Sequence, residues 1–390
     1  MLVIGGEQVL AIDADAHVIE SEDTWSFLEP SEERFRPILV GSENQPDKQY
    51  WLLNDKVVGF RFPSLTAKQL EELSHRTGRD MNTTPETRGL ARVDLRLQHM
   101  DQVGIDIQVL HNTLWIEQVT NHPEAELALC RSYNRWLADT WARGMGRLRW
   151  SCMPPTLRIL DAIEEVRWCK EHGAVAICLR PLEGEHHLTD SYFFPLYEEA
   201  QRLDIPIAVH IANGNPANID LVRHSLFWRF RVPTVAACHA YLRSQVPELF
   251  PNLRVGFIEA GAQWLVWVLE GVMRTREAGP SKSAMRELLS RKRVWVTCEY
   301  EDHLPYLLSY TGEDNLIIGT DYGHIDPFSN VRALKVFVDR TDISDTVKKK
   351  VLKDNAMAFY GLKDEDLPSY AVQSQAVAGS NGEGVRVLGS

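Results

Sequence analysis

Residues 9–17 read VLAIDADAH, an apolar run that ends in three ionisable side chains. Val9 to Ile12 suit a buried strand. Asp13, Asp15 and His17 at its end, with Glu20 just beyond, would lose much of their hydration. Unpaired acidic groups in such a place are costly or take up protons. A salt bridge, a water-filled cleft or a metal ion would each relieve them.

Seven more runs of the same kind follow in order. They are GIDIQVLHN (104–112), RLRWSCMP (147–154), AVAICLRP (174–181), IPIAVHI (205–211), RVGFIEAG (254–261), VWVTCEY (294–300) and LIIGTDYGH (316–324). Most are near-continuous apolar runs, the mark of strands covered on both faces. Helix-length segments lie between them at 93–104, 125–143, 159–173, 193–204, near 243–250, at 263–277 and at 328–339. In the second of these, Leu127, Cys130, Tyr133, Trp136 and Leu137 fall on one helical stripe. Strand–helix alternation repeated eight times implies parallel strands with right-handed crossovers, and its closed form is an α/β (β/α)8 TIM barrel. We expect one barrel domain over residues 1–365. Residues 21–90 are too long for a βα loop and read as an inserted cap with a small sheet or helical turns. Residues 366–390, rich in Ser, Gly, Gln and Val, read as a disordered or arm-like tail.

Composition removes several function classes. The 390 residues carry 42 Lys plus Arg against 54 Asp plus Glu, a formal net charge of −12. So acidic a chain is poorly suited to a phosphate backbone, and no nucleic-acid partner is expected. The six cysteines form no CxxC pair and suit buried thiols in a reducing compartment. No apolar stretch is long enough to span a membrane, and the first residues do not form a signal peptide. A cytoplasmic protein with a small-molecule substrate is the expectation.

In such a barrel the chemistry sits at the carboxyl ends of the strands. Those ends carry Asp15, His17 and Glu20, then His111, Arg180, His210 and Glu259, and finally Asp321 and His324. Imidazole and carboxylate together are ligands for a divalent metal such as zinc, iron or manganese. Each group also has a plainer reading. Asp321 would cap the following helix, and Glu259 would pair with Arg180. Arg180 would grip a substrate carboxylate or pair with Glu183 or Glu185. Glu20 reads as a partner that orients His17. His324 reads as a second-metal ligand, a proton shuttle or a structural contact. Trp25, Phe27, Trp51, Trp115, Phe227 and Trp228 suggest an aromatic pocket or simple packing.

These residues also resemble a known family. IDADAHVIE, IPIAVHI, FPNLRVGFIEAGAQWL (250–265) and LIIGTDYGHID (316–326) are similar to motifs of the amidohydrolase superfamily. The closest branch is the amidohydrolase-related group of aminocarboxymuconate-semialdehyde and resorcylate decarboxylases. The resemblance covers most of residues 9–362 and implies a distorted barrel with one or two metal ions at its mouth. It implies metal ligation by Asp15, where the family has a His or Glu, and by His17, His210 and Asp321. Glu259 stands where many relatives have an acid–base histidine. This departure favours a binuclear site, with Glu259 and His324 in the metal and catalytic sets, and iron as an alternative to zinc. A homodimer is implied by the resemblance alone.

The leading expectation is a metal-dependent hydrolase, acting on an amide, ester, lactone or thioester of a small carboxylate-bearing or aromatic substrate. The metal would activate water, Asp321 or Glu259 would take its proton, and Asp321 or His324 would protonate the leaving group. The alternative is a non-oxidative decarboxylase with the same metal site. A binuclear non-heme iron oxygenase is a further alternative, and a degenerate non-catalytic barrel is ranked last because the ligand set reads as complete.

Overall fold

The computed structural model describes residues 1–42, 45–53, 56–61, 65–274 and 279–368. Nearly all of the 366–390 tail lies outside them. Within the described part, Leu367 is buried and Arg149 donates to the Asp366 carbonyl at 2.5 Å.

Eight strands form one sheet in chain order: β1 Ile12–His17, β2 Ile107–His111, β3 Leu148–Cys152, β4 Ala174–Leu179, β5 Ile207–His210, β6 Val255–Ile258, β7 Val294–Cys298 and β8 Leu316–Ile318. Every neighbouring pair is parallel. The ends of β1 and β8 then meet. His17 N donates to the Tyr322 carbonyl at 2.8 Å, and Asp321 N to the Asp15 carbonyl at 2.9 Å. These bonds close a (β/α)8 barrel, as the eightfold alternation predicts.

Two apolar layers follow from strand geometry, because alternate side chains point to opposite faces. Ile12, Ala14, Ile107, Val109, Ala208, Ile258 and Ile317 fill the barrel with Phe359 and Tyr360. A larger layer joins the strands to the outer helices. The outer helices include Val93–Val103, Pro123–Arg143, Ile159–Glu171 and Phe194–Arg202.

Three local expectations change. Val9 leaves the first strand and pairs instead with Leu2 in a hairpin of Leu2–Ile4 and Glu7–Val9. Gly5 and Gly6 make that turn with φ of 59° and 86°, values glycine adopts without steric cost. After β5 the main helix is Val232–Arg243, with only a four-residue helix at Val246–Leu249. Pro233 sits in the first turn of the longer helix, where its fixed φ suits the start of a helix. Asp13 and Asp15 stand two residues apart, which in a regular strand puts both on one face; they do not share it, because the β1–β2 register shifts between Asp13 and Ala16, a bulge that re-aims side chains.

Between β1 and the first outer helix lie an antiparallel sheet of Ile38–Ser42, Gln45–Leu53 and Lys56–Arg61 and a helix at Ala67–Thr77. Thr66 caps that helix through the Gln69 amide, and Gly78 ends it with φ of 72°. The sheet's Trp51 meets Trp25 at 5.7 Å between ring centroids, and Trp25 meets Trp115 at 6.1 Å.

Gly319 is where β8 passes closest to β1. A Cβ there would lie 2.2 Å from Asp15 Cβ and 2.8 Å from Asp15 N. We therefore expect Gly319→Ala to cost about 1–3 kcal/mol of stability by overpacking and to lower metal content by displacing Asp15. Thermal unfolding and elemental analysis of the variant test both effects.

Candidate metal centre

The carboxyl ends of β1, β5, β6 and β8 bring Asp15, His17, His210, Glu259, Asp321 and His324 together. Two overlapping donor sets result: Asp15, His17, His210 and Glu259, and His17, Glu259, Asp321 and His324. Within each set the ligand atoms lie within 4.8 Å of one another.

Hydrogen bonding fixes what faces the centre. His17 Nδ1 lies 2.8 Å from the Asn112 carbonyl, which can only accept, so Nδ1 carries the proton. His17 Nε2 then presents a lone pair. It faces Asp15 Oδ1 at 3.4 Å, Glu259 Oε2 at 3.3 Å and Asp321 Oδ1 at 3.5 Å. His210 Nδ1 lies 3.3 Å from the Ile211 carbonyl, and its Nε2 faces Asp15 Oδ1 at 3.2 Å and Glu259 Oε2 at 3.1 Å. These are acceptors facing acceptors. His17 Nε2 and Glu259 Oε2 are buried with no hydrogen-bond partner. Buried polar atoms are nearly always paired, so this donor set fits a divalent cation between the groups.

The electrostatics agree. Burial, together with the neighbouring carboxylates Asp321 and Asp15, pushes the Glu259 carboxyl well above its usual range. Burial and then Asp326 and Asp15 do the same to Asp321. Burial lowers His17, and lowers His324 far more. Without a cation, carboxylates packed this closely favour sharing protons.

The backbone is strained at the same two carboxylates. Glu259 and Asp321 have φ of 64° and 50°, left-handed values that non-glycine residues rarely adopt. Each is held by its amide: Glu259 N donates to Thr297 Oγ1 at 2.6 Å, and Asp321 N to the Asp15 carbonyl. Asp13 does not enter the centre. It accepts from Gln108 and from both the amide and hydroxyl of Thr320, and Gln108 in turn takes Arg96 of the Val93–Val103 helix. Asp13 therefore ties β1, β2 and β8 together, and it accepts the Asp15 amide at 3.3 Å.

Beside the centre lies a small pocket lined by polar Asn112, Thr113 and Arg180 and by apolar Trp115, Ile116 and Ile211 among others. Of the aromatic candidates only Trp115 lines it. Trp25 and Trp51 are buried behind Trp115, and Phe227 and Trp228 are both 57% exposed. Arg180 reaches the pocket already paired with Glu183, and it also donates to the Glu117 carbonyl at 3.0 Å. Glu20 does not contact His17. It accepts from the amides of Thr113 and Leu114, each at 3.0 Å, and so holds the loop whose Asn112 carbonyl orients His17. His111 lies below the centre, against Ser151 and the Ala14 carbonyl.

Several participants were not singled out from sequence. Asn112 and Thr113 follow β2 without a motif to mark them. Asp326 presses on both Glu259 and Asp321. Arg231 stacks on the Phe328 ring, and its charge reaches Glu299 and Glu259. The readable signal for Asp326 was its place at the end of LIIGTDYGHID; Arg231 had none.

Comparison with known proteins agrees with this architecture. The family model described as "Amidohydrolase" matches residues 12–362. A 2-amino-3-carboxymuconate-6-semialdehyde decarboxylase from Dictyostelium discoideum is 25% identical over 289 residues, 69% of this chain and 76% of that protein. Among solved structures, an amidohydrolase from Mycobacterium avium subsp. paratuberculosis K-10 superposes with a TM-score of 0.71 at 19% identity, covering 91% of this chain and all of that one. A dihydroxybenzoic acid decarboxylase from Polaromonas sp. JS666, with bound manganese and the inhibitor 2-nitroresorcinol, gives 0.62 at 19% identity, covering 92% and 99%.

Two outcomes follow. In metal-free protein at pH 8, Glu259→Gln removes the cost of ionising a buried carboxyl beside Asp321 and Asp15, and should raise the melting temperature by about 2–4 °C. In metal-loaded protein the same change should reduce bound metal per chain, read by elemental analysis. Burial raises the Glu20 carboxyl to about 7. A raised carboxyl means the folded state binds more protons, so its contribution is full below about pH 4.5 and is lost as pH rises through about 7. Calorimetry at pH 5 and pH 8 should show a stability loss that Glu20→Gln reduces.

Proposed function

This chain belongs to the amidohydrolase family, and from that premise we propose that it is a metal-dependent non-oxidative decarboxylase of a small, oxygen-substituted unsaturated or aromatic carboxylate. The observation that carries this reading is the facing of imidazole lone pairs and buried carboxylates beside a largely apolar pocket. The two decarboxylases named above support the reaction class. Hydrolysis, the leading expectation from sequence, takes second place.

Asp15, His17, His210 and Glu259, the first of the two donor sets, would hold a divalent cation, with Asp321 and His324 beside it. When bound, such an ion supplies Lewis-acid polarisation of the substrate oxygens. The remaining chemistry belongs to the chain. Trp115, Ile116, Ile211 and Ala212 give the substrate an apolar wall and limit water. The carbon–carbon bond breaks, carbon dioxide leaves, and the electron pair remains on the substrate carbon, delocalised into its conjugated oxygen. A proton must then reach that carbon.

His324 is placed to deliver it. Thr113 spends its only hydroxyl hydrogen on the Val18 carbonyl at 2.7 Å, so at 2.8 Å it can only accept from His324 Nε2. His324 Nδ1 lies 2.7 Å from Asp321 Oδ1. Among the described residues Asp321 Oδ1 has no hydrogen-bond partner, so with Nε2 protonated a proton taken up between the two atoms would be available for transfer. In the same reading the described residues within 21–90 would form a cap over this mouth.

The hydrolase reading rests on Glu259, a carboxylate beside both His17 and His210 that would serve as a base. The test is anaerobic incubation of the purified holoenzyme with 2,6-dihydroxybenzoate and related hydroxylated or unsaturated carboxylates. Carbon dioxide should be released, with one deuterium incorporated at carbon in heavy water. His324→Gln should lower turnover about 10²–10⁴-fold, as expected for loss of a general acid. Release of an acid product carrying oxygen from labelled water would replace this reading with the hydrolase. Product formation only with oxygen consumption would replace it with an iron oxygenase.

A further inference from the structure

Asn112 combines two placements in one residue. Its carbonyl holds His17 Nδ1, so its backbone is tied to the metal centre. Its side chain is buried and lines the pocket. The amide orientation is fixed, because Oδ1 accepts the Trp115 backbone N–H at 3.1 Å, and only the amide oxygen can do so. The amide nitrogen must therefore point the other way. There, among the described residues, it meets only Met153 Sδ at 3.0 Å and Cys178 Sγ at 3.3 Å.

Thioether and thiol sulfurs are weak acceptors. The Cys178 thiol is neutral, its pKa pushed up to about 12 by burial, so it offers no thiolate charge. A buried amide with two strong N–H donors is thus matched to two poor partners on a pocket wall. Buried polar groups usually find a full partner. Arg180, the other strong donor of the pocket, already has Glu183 and the Glu117 carbonyl.

We propose that Asn112 is a specificity-determining residue whose side-chain amide donates to an oxygen substituent beside the substrate's carboxylate. It would select hydroxyl- or oxo-substituted carboxylates over alkyl-substituted ones. This rests on the reading above of a small oxygen-substituted carboxylate as substrate.

The experiment compares binding of 2,6-dihydroxybenzoate and 2,6-dimethylbenzoate to the holoenzyme by calorimetric titration. The two probes share a carboxylate and a shape and differ in the oxygen. The wild-type protein should prefer the dihydroxy probe by about tenfold or more, the size of one well-made hydrogen bond. Asn112→Leu should lose most of that preference by weakening the dihydroxy probe alone, with metal content unchanged. Cys178→Ser keeps Asn112 but gives its amide an oxygen partner inside the protein. It should weaken the dihydroxy probe about threefold to tenfold, and it answers the question if Asn112→Leu does not fold. A preference that survives in both variants overturns the inference, as does a wild-type protein that prefers neither probe. Loss of preference in the variants, with no carbon dioxide released by the wild type, would sustain the role of Asn112 while overturning the decarboxylase reading.

Discussion

Electrostatic frustration at one end of the barrel is the constraint around which the rest is arranged. Two imidazole lone pairs and three carboxylates face one another at 3.1 to 3.5 Å in a buried space. Nothing in water-soluble protein chemistry tolerates that arrangement without a proton or a cation between the groups. The His17 and His210 tautomers make the case sharper than a list of ligand types would. Each ring spends its other nitrogen on a backbone carbonyl, so each has only a lone pair left to offer.

The barrel supplies the stiffness that keeps these groups from relaxing apart. The ends of β1 and β8 are joined by backbone bonds at Asp15 and His17, and Asp13 ties β1 to β2 and β8. Gly319 lets the last strand approach the first closely enough for Asp321 to meet Asp15. The left-handed backbone at Glu259 and Asp321 is a local cost of aiming both carboxylates inward. That cost is sustained because the Thr297 hydroxyl and the Asp15 carbonyl fix their amides.

The pocket follows a different logic. Its far wall is built by packing: Trp51 on Trp25 and Trp25 on Trp115, with only Trp115 reaching the cavity. Its polar groups divide into those already satisfied, such as Arg180, and those matched to weak partners, such as Asn112. The satisfied groups shape the pocket, and the weakly matched ones have hydrogen bonds left to give to a substrate. Glu20 does not line the pocket but spends both oxygens on the loop carrying Asn112 and Thr113.

The sequence by itself determined the barrel and the donor set. Continuous apolar runs alternating with amphipathic helices allow few folds, and a parallel barrel places every strand's carboxyl end at one mouth. Asp15, His17, His210, Glu259, Asp321 and His324 could therefore be read as neighbours although more than 300 residues separate the first from the last. Tertiary structure alone decided how they are wired. The bulge after Asp13 turned two alternate aspartates to different partners, and no period-two pattern reveals a bulge. The partner of Arg180, the reach of Glu20 and the sulfur neighbours of Asn112 were also hidden. Each depends on distances between loops whose sequences carry no periodicity, and hydrogen bonds are made or lost within a few tenths of an ångström.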